Sequence, residues 1–259
     1  MKCGKQGVLR MFELKDIFCK IAKSAGEIIL NADREQLDIN SKQGSANFVT
    51  KYDVLVEEYL KENLLKAVPD AIFIGEEGDE NFSSDLNKAF IVDPIDGTTN
   101  FIKDYHMSCI SIAYLQKGEV IISVIYNPFL DEMFCAERGK GAFCNGARIH
   151  VSKYPLENGL VLFGSCPYHK ELWKKSFELV YEYFEKALDV RRSGSAALDL
   201  CSIAAGRAEL YFELLLSPWD YAAGILLVEE AGGTVTDMNG EKVGFDKPSS
   251  IIASNGLCV

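Results

Sequence analysis

The sequence lacks the cysteine and histidine spacing that builds zinc sites and disulfide frameworks. Its eight cysteines are irregularly spaced with no C-x-x-C pair, and its three histidines are scattered. Zinc sites and the disulfide frameworks of small secreted proteins show tighter cysteine spacing. Most of the cysteines lie in apolar runs such as SCISIAYL at 108–115, where a free thiol behaves as a small hydrophobe. The sequence therefore argues against zinc chemistry and against a disulfide-stapled fold.

The sequence also lacks an excess of positive charge and any long apolar run. Its 27 Lys and Arg residues are outnumbered by 38 Asp and Glu residues, which gives a formal net charge of −11. Because nucleic-acid phosphates are held by clustered Lys and Arg, nucleic acid is not expected to be the main partner. No run approaches the roughly 18–20 apolar residues that a membrane span needs. The N-terminal stretch has no signal-peptide core, so we expect a cytoplasmic protein.

The first half of the chain shows helical and then strand-like patterns. Apolar residues recur at helical spacing over 13–32, and a second helical stretch covers about 52–67. Short apolar strands are predicted at 71–75 and 89–92. The stretch 108–136 alternates apolar runs with turns, which is typical of an antiparallel meander.

The second half of the chain alternates strands with helices. Strands are predicted at 160–164, 188–192, 208–214, 234–236 and 250–253, and helices at about 169–186, 195–205 and 219–231. Alternation of this kind indicates layered α/β structure. At 259 residues the chain can bury a substantial core. We expect one compact unit of two subdomains, 11–155 and 156–259.

Two carboxylates stand close together in IVDPIDGTTNF at 91–101. Asp93 and Asp96 lie three positions apart around a proline, directly after an apolar strand. Asp-Pro and Asp-Gly pairs commonly mark turns, so a turn alone could explain them. However, Glu76 and Glu77 also end a short strand, and Asp220 begins a helix. If these acids converge on one cleft, their repulsion needs cations to offset it.

Oxygen ligands with no nearby Cys or His favour a hard ion such as Mg²⁺. Magnesium held by a few carboxylates, with positions left for water and phosphate, is the usual equipment for phosphate hydrolysis. The turn Gly97-Thr98-Thr99 offers backbone amides to an anion. The sequence therefore points to phosphate ester chemistry.

Four motifs carry a resemblance to a known family. They are GEE at 75–77, DPIDGTTNF at 93–101, WDYAAG at 219–224 and SGSAALDLCSIAAGRAELYFE at 193–213. With them, the chain resembles the inositol monophosphatase family over about residues 13–256. The resemblance implies a layered α/β/α/β/α sandwich of the sugar phosphatase type, which inositol monophosphatase shares with fructose-1,6-bisphosphatase.

The resemblance also implies two to three Mg²⁺ ions and their ligands. Glu76, Asp93 and the Ile95 carbonyl would hold the first ion. Asp93, Asp96 and Asp220 would hold the second, with Asp93 bridging. A third, weaker ion would sit near Glu76. Most of these ligands fall in the first subdomain, and Asp220 falls in the second.

The family's reaction gives further residues an implied role. A water molecule would attack phosphorus in line, without a phosphoenzyme, and Glu76 and Thr98 would orient it. Asp53 would accept a hydrogen bond from Thr98. Glu77 would support the metal ligands from outside, and Lys42 would lie on a loop beside the site. The residues implied to contact the substrate are Gly97, Thr98, Gly194, Ser195, Ala196, Glu213 and Asp220.

The favoured reaction is hydrolysis of myo-inositol 1-phosphate, because Thr99-Asn100-Phe101 and Glu213 resemble the inositol branch of the family. Fructose-1,6-bisphosphate, 3′-phosphoadenosine 5′-phosphate and histidinol phosphate remain alternatives. A regulatory binding protein on the same fold is another, since a bacterial family member can bind transcription machinery. Such a protein would be expected to lose metal ligands, and this sequence keeps them. The resemblance further implies a lithium-sensitive homodimer.

Overall fold

The computed structural model describes residues 3–41, 48–78 and 86–258, with side chains described from residue 13 onward. The helices of this part are α1 Cys3–Leu30, α2 Lys51–Ala67, α3 Thr98–Ile102, α4 Lys170–Phe184, α5 Ala196–Ala204 and α6 Pro218–Glu230. The strands are β1 Asn40–Ser41, β2 Phe48–Val49, β3 Ile72–Gly75, β4 Lys88–Asp96, β5 Cys109–Gln116, β6 Glu119–Asn127, β7 Glu132–Glu137, β8 Gly141–Cys144, β9 Ala147–Ile149, β10 Leu160–Phe163, β11 Asp189–Arg191, β12 Leu210–Leu216, β13 Thr234–Thr236 and β14 Ser249–Ser254.

Two large sheets organise these strands. The first has seven strands in the order β3-β4-β5-β6-β7-β8-β9, and only the β3–β4 pair is parallel. The second has five strands in the order β11-β10-β12-β14-β13, with β10 parallel to both β11 and β12. Strand β14 runs antiparallel to both of its neighbours. The short strands β1 and β2 pair with each other.

Three apolar clusters separate the layers. Helices α1 and α2 cover one face of the seven-stranded sheet, where Phe18 and Leu60 join Phe90 in one cluster. Helices α5 and α6 lie between the two sheets in a second cluster that includes Ile91 and Leu226. Helix α4 covers the outer face of the five-stranded sheet. The layers therefore run α/β/α/β/α, as expected.

The pattern of β4 shows why this layering follows from the sequence. Phe90 and Val92 join the cluster under α1 and α2, whereas Ala89 and Ile91 join the cluster between the sheets. Successive side chains of a strand point to opposite faces, so a strand that is apolar throughout has both faces covered.

Some boundaries differ from those predicted. Helix α1 begins at Cys3 and ends at Leu30, whereas 13–32 was predicted, and β4 extends to Asp96 instead of residue 92. The chain passes from the first sheet to the second between Ile149 and Leu160. The subdomains 11–155 and 156–259 nevertheless stay a prediction, because α6 packs against strands of both sheets.

Two further features of the fold concern the cysteines and the helices. The cysteines whose side chains are described, from Cys19 to Cys258, are all free thiols. No helix in the described part of the chain is long and apolar enough to cross a bilayer.

Candidate active site

Three carboxylates converge where β4 ends and α6 begins. One carboxylate oxygen from each of Asp93, Asp96 and Asp220 lies within 4.8 Å of the others. Asp93 and Asp96 are the last acids of β4, and Asp220 lies in the first turn of α6. The structure therefore brings together three of the predicted site residues, although Asp220 is far from the other two in the chain.

A bulge in β4 explains how both aspartates reach the same cluster. Asp93 is paired with Ser111 and Asp96 with Cys109, so three steps along β4 match two steps along β5. Residues three apart in a regular strand point to opposite faces, whereas one extra residue reorients the chain between them. Pro94 lies inside this bulge, which is one of the places where a sheet accommodates proline.

The cluster is buried and electrostatically unfavourable without a cation. Burial raises the pKa of Asp96 to about 6, and the charges of Glu76 and Glu213 add to the rise. Burial, followed by the charges of Asp96 and Glu76, raises the pKa of Asp220 well above its usual value. A cluster of carboxylates offers oxygen donors alone, and such a set suits a hard divalent ion such as Mg²⁺. The donor set is therefore suited to the metal that the sequence predicts.

Each of the three carboxylates is held in place by backbone amides. Asp93 Oδ1 accepts from the Ile95 amide at 2.9 Å. Asp220 Oδ2 accepts from the Ser217 amide at 2.7 Å, which also caps the start of α6. These bonds use one oxygen of each side chain and fix its direction.

The start of α5 holds Asp96. Its Oδ2 accepts from the Ser195 hydroxyl at 2.6 Å and from the Ala197 amide at 2.7 Å. Ser195 also accepts from the Leu198 amide at 3.3 Å, as a helix cap does. The Ser195 hydroxyl, predicted to meet substrate, is thus engaged with Asp96, and contact with substrate at Gly194, Ser195 and Ala196 stays a prediction.

Thr98 and Asp53 form the hydrogen bond that the resemblance implies. Thr98 Oγ1 lies 3.1 Å from Asp53 Oδ1 and also 3.1 Å from the Ile95 carbonyl oxygen. Asp53 Oδ2 accepts from the Thr50 amide at 2.7 Å and from its hydroxyl at 2.6 Å, which caps α2. Burial raises the pKa of Asp53 to about 6, the hydrogen bonds from Thr50 lower it, and the charge of Glu76 raises it.

Glu76 and Glu77 lie on the turn that follows β3. The Glu76 amide donates to the Val92 carbonyl at 3.2 Å, which keeps the turn beside β4. The Glu77 amide donates to Glu57 Oε2 at 2.9 Å. A Cβ atom on Gly75, the last residue of β3, would lie 2.2 Å from the same oxygen, so a side chain there would displace the Glu57 carboxylate. The predicted residue Lys42 lies outside the described residues.

Glu213 lies in β12 and is 8% exposed. Its Oε1 accepts from the Cys166 amide at 3.1 Å and its Oε2 from the Tyr211 hydroxyl at 2.9 Å. Burial raises the pKa of Glu213, and these bonds and the charge of Arg192 lower it. The charge of Glu213 in turn contributes to raising the pKa of both Asp96 and Asp220.

Sequence reasoning missed the supporting role of two residues, Glu57 and Asn100. Glu57 holds the Glu77 amide, and its position four residues after Asp53, on the same face of α2, was an available signal. Asn100 Nδ2 donates to the Met107 carbonyl at 2.7 Å and to the Ser193 carbonyl at 3.0 Å. The sequence marked Asn100 only as part of Thr99-Asn100-Phe101, and these two bonds could not be predicted from it because both partners are carbonyls of other segments.

Gly97 is required by the turn before α3. Its φ is +90°, and a Cβ atom there would lie 2.8 Å from the Met107 carbonyl oxygen. A side chain is therefore excluded by both conformation and space. The backbone of Gly97 and Thr98 is thereby placed directly after the bulge that carries Asp93 and Asp96.

The profile of the inositol monophosphatase family matches residues 11–258, which is nearly the whole chain. This chain belongs to the inositol monophosphatase family. Nus factor SuhB of Salmonella typhimurium is 37% identical over 247 residues, which cover 95% of this chain and 92% of the relative. The match confirms the resemblance drawn from the four motifs and assigns the chain to a phosphatase family.

Solved structures of the inositol monophosphatase family share this fold. The IMPase of Thermotoga maritima is 32% identical with a TM-score of 0.85, and the match covers 93% of this chain and 92% of that one. An IMPase/NADP phosphatase complexed with Mg²⁺ and phosphate is 25% identical with a TM-score of 0.80, covering 92% and 87%. The layered α/β/α/β/α architecture is therefore that of the family.

Proposed function

We propose that this protein hydrolyses a phosphate monoester with the help of Mg²⁺, and that its substrate is myo-inositol 1-phosphate. The observation that carries the proposal is the convergence of Asp93, Asp96 and Asp220 within 4.8 Å. Membership of the inositol monophosphatase family supports the reaction type. The related IMPase/NADP phosphatase complexed with Mg²⁺ and phosphate supports the metal.

Two to three Mg²⁺ ions would be held by oxygen donors of this chain. Asp93, Asp96 and Asp220 would supply carboxylates, joined by Glu76 and the Ile95 carbonyl. When bound, the metal would neutralise charge on the phosphate and lower the pKa of a water nucleophile. Burial destabilises three clustered negative charges in the metal-free protein. A bound cation would neutralise these charges, and its binding is favoured for that reason.

Thr98 and Glu76 would orient the attacking water. The single hydroxyl hydrogen of Thr98 is directed to Asp53 Oδ1 or to the Ile95 carbonyl oxygen. In either case the Thr98 oxygen keeps lone pairs that can accept a hydrogen bond from water. An ionised Asp53 makes the stronger acceptor for Thr98, and a pKa of about 6 leaves Asp53 mostly ionised at neutral pH.

The phosphate and the alcohol half of the substrate would be held by different groups. Backbone amides of Gly97 and Thr98 would hold the phosphate together with the metal. The start of α5 at Gly194, Ser195 and Ala196 would meet sugar-like oxygens. Glu213, whose charge acts on Asp96 and Asp220, would accept hydrogen bonds from neighbouring hydroxyls.

Phosphate release from a panel of esters tests the proposal. Purified protein is assayed with Mg²⁺, and then with EDTA, on myo-inositol 1-phosphate, 2-glycerophosphate, fructose-1,6-bisphosphate and 3′-phosphoadenosine 5′-phosphate. We expect metal-dependent hydrolysis with the highest kcat/KM for myo-inositol 1-phosphate. Hydrolysis that persists in EDTA would contradict the metal assignment, and a higher kcat/KM for another ester would replace the substrate.

A second candidate is a binding role, because several relatives carry the name Nus factor SuhB, including the one from Escherichia coli at 38% identity. Such a role would not require turnover. A complementation test separates the two roles. If binding alone is needed, the Asp93→Asn variant should restore the wild-type phenotype to a strain that lacks the gene. If only the wild type restores it, the hydrolytic role is the one that matters.

A further inference from the structure

Two glycine turns meet beside the carboxylate cluster. Gly97 follows β4 and Gly194 precedes α5, and their φ angles are +90° and +86°. A Cβ atom on Gly97 would lie 3.3 Å from the Gly194 carbonyl oxygen. The first turn leads into Thr98, and the second leads into Ser195, whose hydroxyl bonds Asp96. The backbone segments proposed to hold the phosphate and the alcohol of the substrate are therefore in contact.

Asn100 bonds to the chain beside each of these turns. Its Nδ2 donates to the Met107 carbonyl at 2.7 Å and to the Ser193 carbonyl at 3.0 Å. The same Met107 oxygen would lie 2.8 Å from a Cβ atom on Gly97. Ser193 directly precedes Gly194, where a Cβ atom would lie 3.1 Å from Asn100 Nδ2. One side-chain amide therefore lies against both turns and is bonded on both sides.

Only a group with two donors can make this link. The Asn100 amide has two hydrogens, and both are used. Asn100 is 9% exposed, so little water can replace either bond. The opposite orientation of the amide would aim its oxygen at two carbonyl oxygens, so the surroundings fix the orientation. A carboxylate at this position would have no hydrogen to donate and would repel both carbonyls.

The bond to Ser193 continues to a proposed metal ligand. The Ser195 amide donates to Ser193 Oγ at 3.0 Å, and Ser193 Oγ donates to the Ser195 carbonyl at 3.0 Å. Ser195 Oγ donates to Asp96 Oδ2 at 2.6 Å, and the Ala197 amide donates to the same oxygen at 2.7 Å. A shift of the Ser193 carbonyl would therefore move the start of α5 relative to Asp96.

We propose that Asn100 is a positioning residue that sets the distance between two halves of the active site. The phosphate half is the turn at Gly97 and Thr98, and the alcohol half is the start of α5 from Gly194 to Ala196. The proposal rests on the proposed function. A polyol phosphate that contacts both halves reacts well only at one separation of them. A phosphate ester of a small alcohol makes fewer contacts with the alcohol half and depends on the separation less.

The variant Asn100→Asp keeps the size of the side chain and removes both donors. Its kcat/KM for myo-inositol 1-phosphate should fall about tenfold or more, because a misplacement of about 1 Å costs up to about a hundredfold. For 2-glycerophosphate the fall should be less than about threefold, and the inhibition constant of inorganic phosphate should stay within about twofold. Asn100→Ala removes the donors without adding a charge and should show the same difference between the two esters.

Amide hydrogen exchange in EDTA tests the positioning without turnover. In both Asn100 variants, peptides covering 193–198 should exchange about tenfold faster than in the wild type, because this segment loses its support. Asn255→Asp is the matched control. Asn255 follows β14, is 6% exposed and donates from Nδ2 to the Tyr154 carbonyl at 2.8 Å. This variant should change neither the exchange of 193–198 nor the ratio of kcat/KM between the two esters.

Circular dichroism and thermal unfolding check that every variant is folded. The proposal is overturned if either folded Asn100 variant keeps the wild-type exchange of 193–198, or if the two esters lose kcat/KM alike. If the wild type hydrolyses neither ester, the proposed function fails instead, and hydrogen exchange alone decides whether Asn100 holds the two turns together.

Discussion

Glu57 Oε2 accepts a hydrogen bond from the backbone amide of Glu77 at 2.9 Å, and so ties helix α2 to the turn that carries Glu76. The same oxygen would lie 2.2 Å from a Cβ atom on Gly75. Helix α2 also supplies Asp53, which accepts from Thr98. Helix α2 therefore positions both Glu76 and Thr98, the two residues that are proposed to orient the attacking water.

Removing the Glu57 carboxylate should loosen the turn. We expect Glu57→Ala to weaken Mg²⁺ binding about fivefold to tenfold, because one hydrogen bond contributes about 1 kcal/mol. Glu57→Gln keeps an acceptor oxygen and should retain most of the affinity. Titration calorimetry with Mg²⁺ measures both variants. Glu62→Ala, on the exposed side of the same helix, is the control. Wild-type affinity in a folded Glu57→Ala protein would show that the bond has no positioning role.

Neutralising Asp93 should abolish both metal binding and turnover. Asp93→Asn removes a charge that two ion sites are proposed to share, so we expect activity to fall by several orders of magnitude. Calorimetry should show the loss of Mg²⁺ binding independently of activity. Asp70→Asn changes an exposed aspartate, paired with Lys88 at 3.5 Å, and should behave as the wild type. A folded Asp93→Asn protein that keeps most of its activity would rule out the two-metal assignment.

The metal-free protein should lose stability as the pH rises. The pKa of Asp96 is about 6 in the folded protein against 3.8 in the unfolded chain, so the folded state binds more protons between these values. The contribution of Asp96 to the free energy of unfolding is therefore largest below about pH 4 and is lost as the pH rises through about 6. The part due to Asp96 is about 3 kcal/mol at most, because one pKa unit corresponds to about 1.4 kcal/mol.

Urea unfolding in EDTA at several pH values measures this effect. Asp96→Asn cannot ionise and should show a smaller decrease between about pH 4 and pH 7. Addition of Mg²⁺ at neutral pH should restore the stability of the wild type but not that of Asp96→Asn. The same decrease in both proteins would mean that Asp96 is not the group that titrates.

Substrate selectivity should depend on Glu213. Glu213→Gln should lower kcat/KM for myo-inositol 1-phosphate about tenfold or more, because hydrogen bonds to a charged acceptor contribute roughly 1.5–3 kcal/mol each. The loss should be clearly smaller for 2-glycerophosphate, which has fewer hydroxyls to place. Tyr211→Phe removes the 2.9 Å bond to Glu213 but keeps the carboxylate, and so reports on positioning alone. Equal losses for both substrates with Glu213→Gln would exclude a role in polyol recognition.

Local patterns in the sequence predicted most of the helices and strands and the three acids of the site, Asp93, Asp96 and Asp220. Periodicity located α2, α4, α5 and α6 to within a few residues, since each has apolar residues at helical spacing and an identifiable start. Asp220 lies in the first turn of its helix, and Asp93 and Asp96 end a strand, whereas Asp53 was implied only by the family resemblance. These are local features, so neighbouring residues are enough to reveal them.

Only the tertiary structure decided how these parts meet. The bulge at Pro94 turns Asp93 and Asp96 toward Asp220, and the packing of α5 places Ser195 on Asp96. The bonds made by Glu57 and Asn100 also join segments that are distant in the chain. Their geometry depends on how the two sheets and the helices between them stack, and no local propensity encodes it.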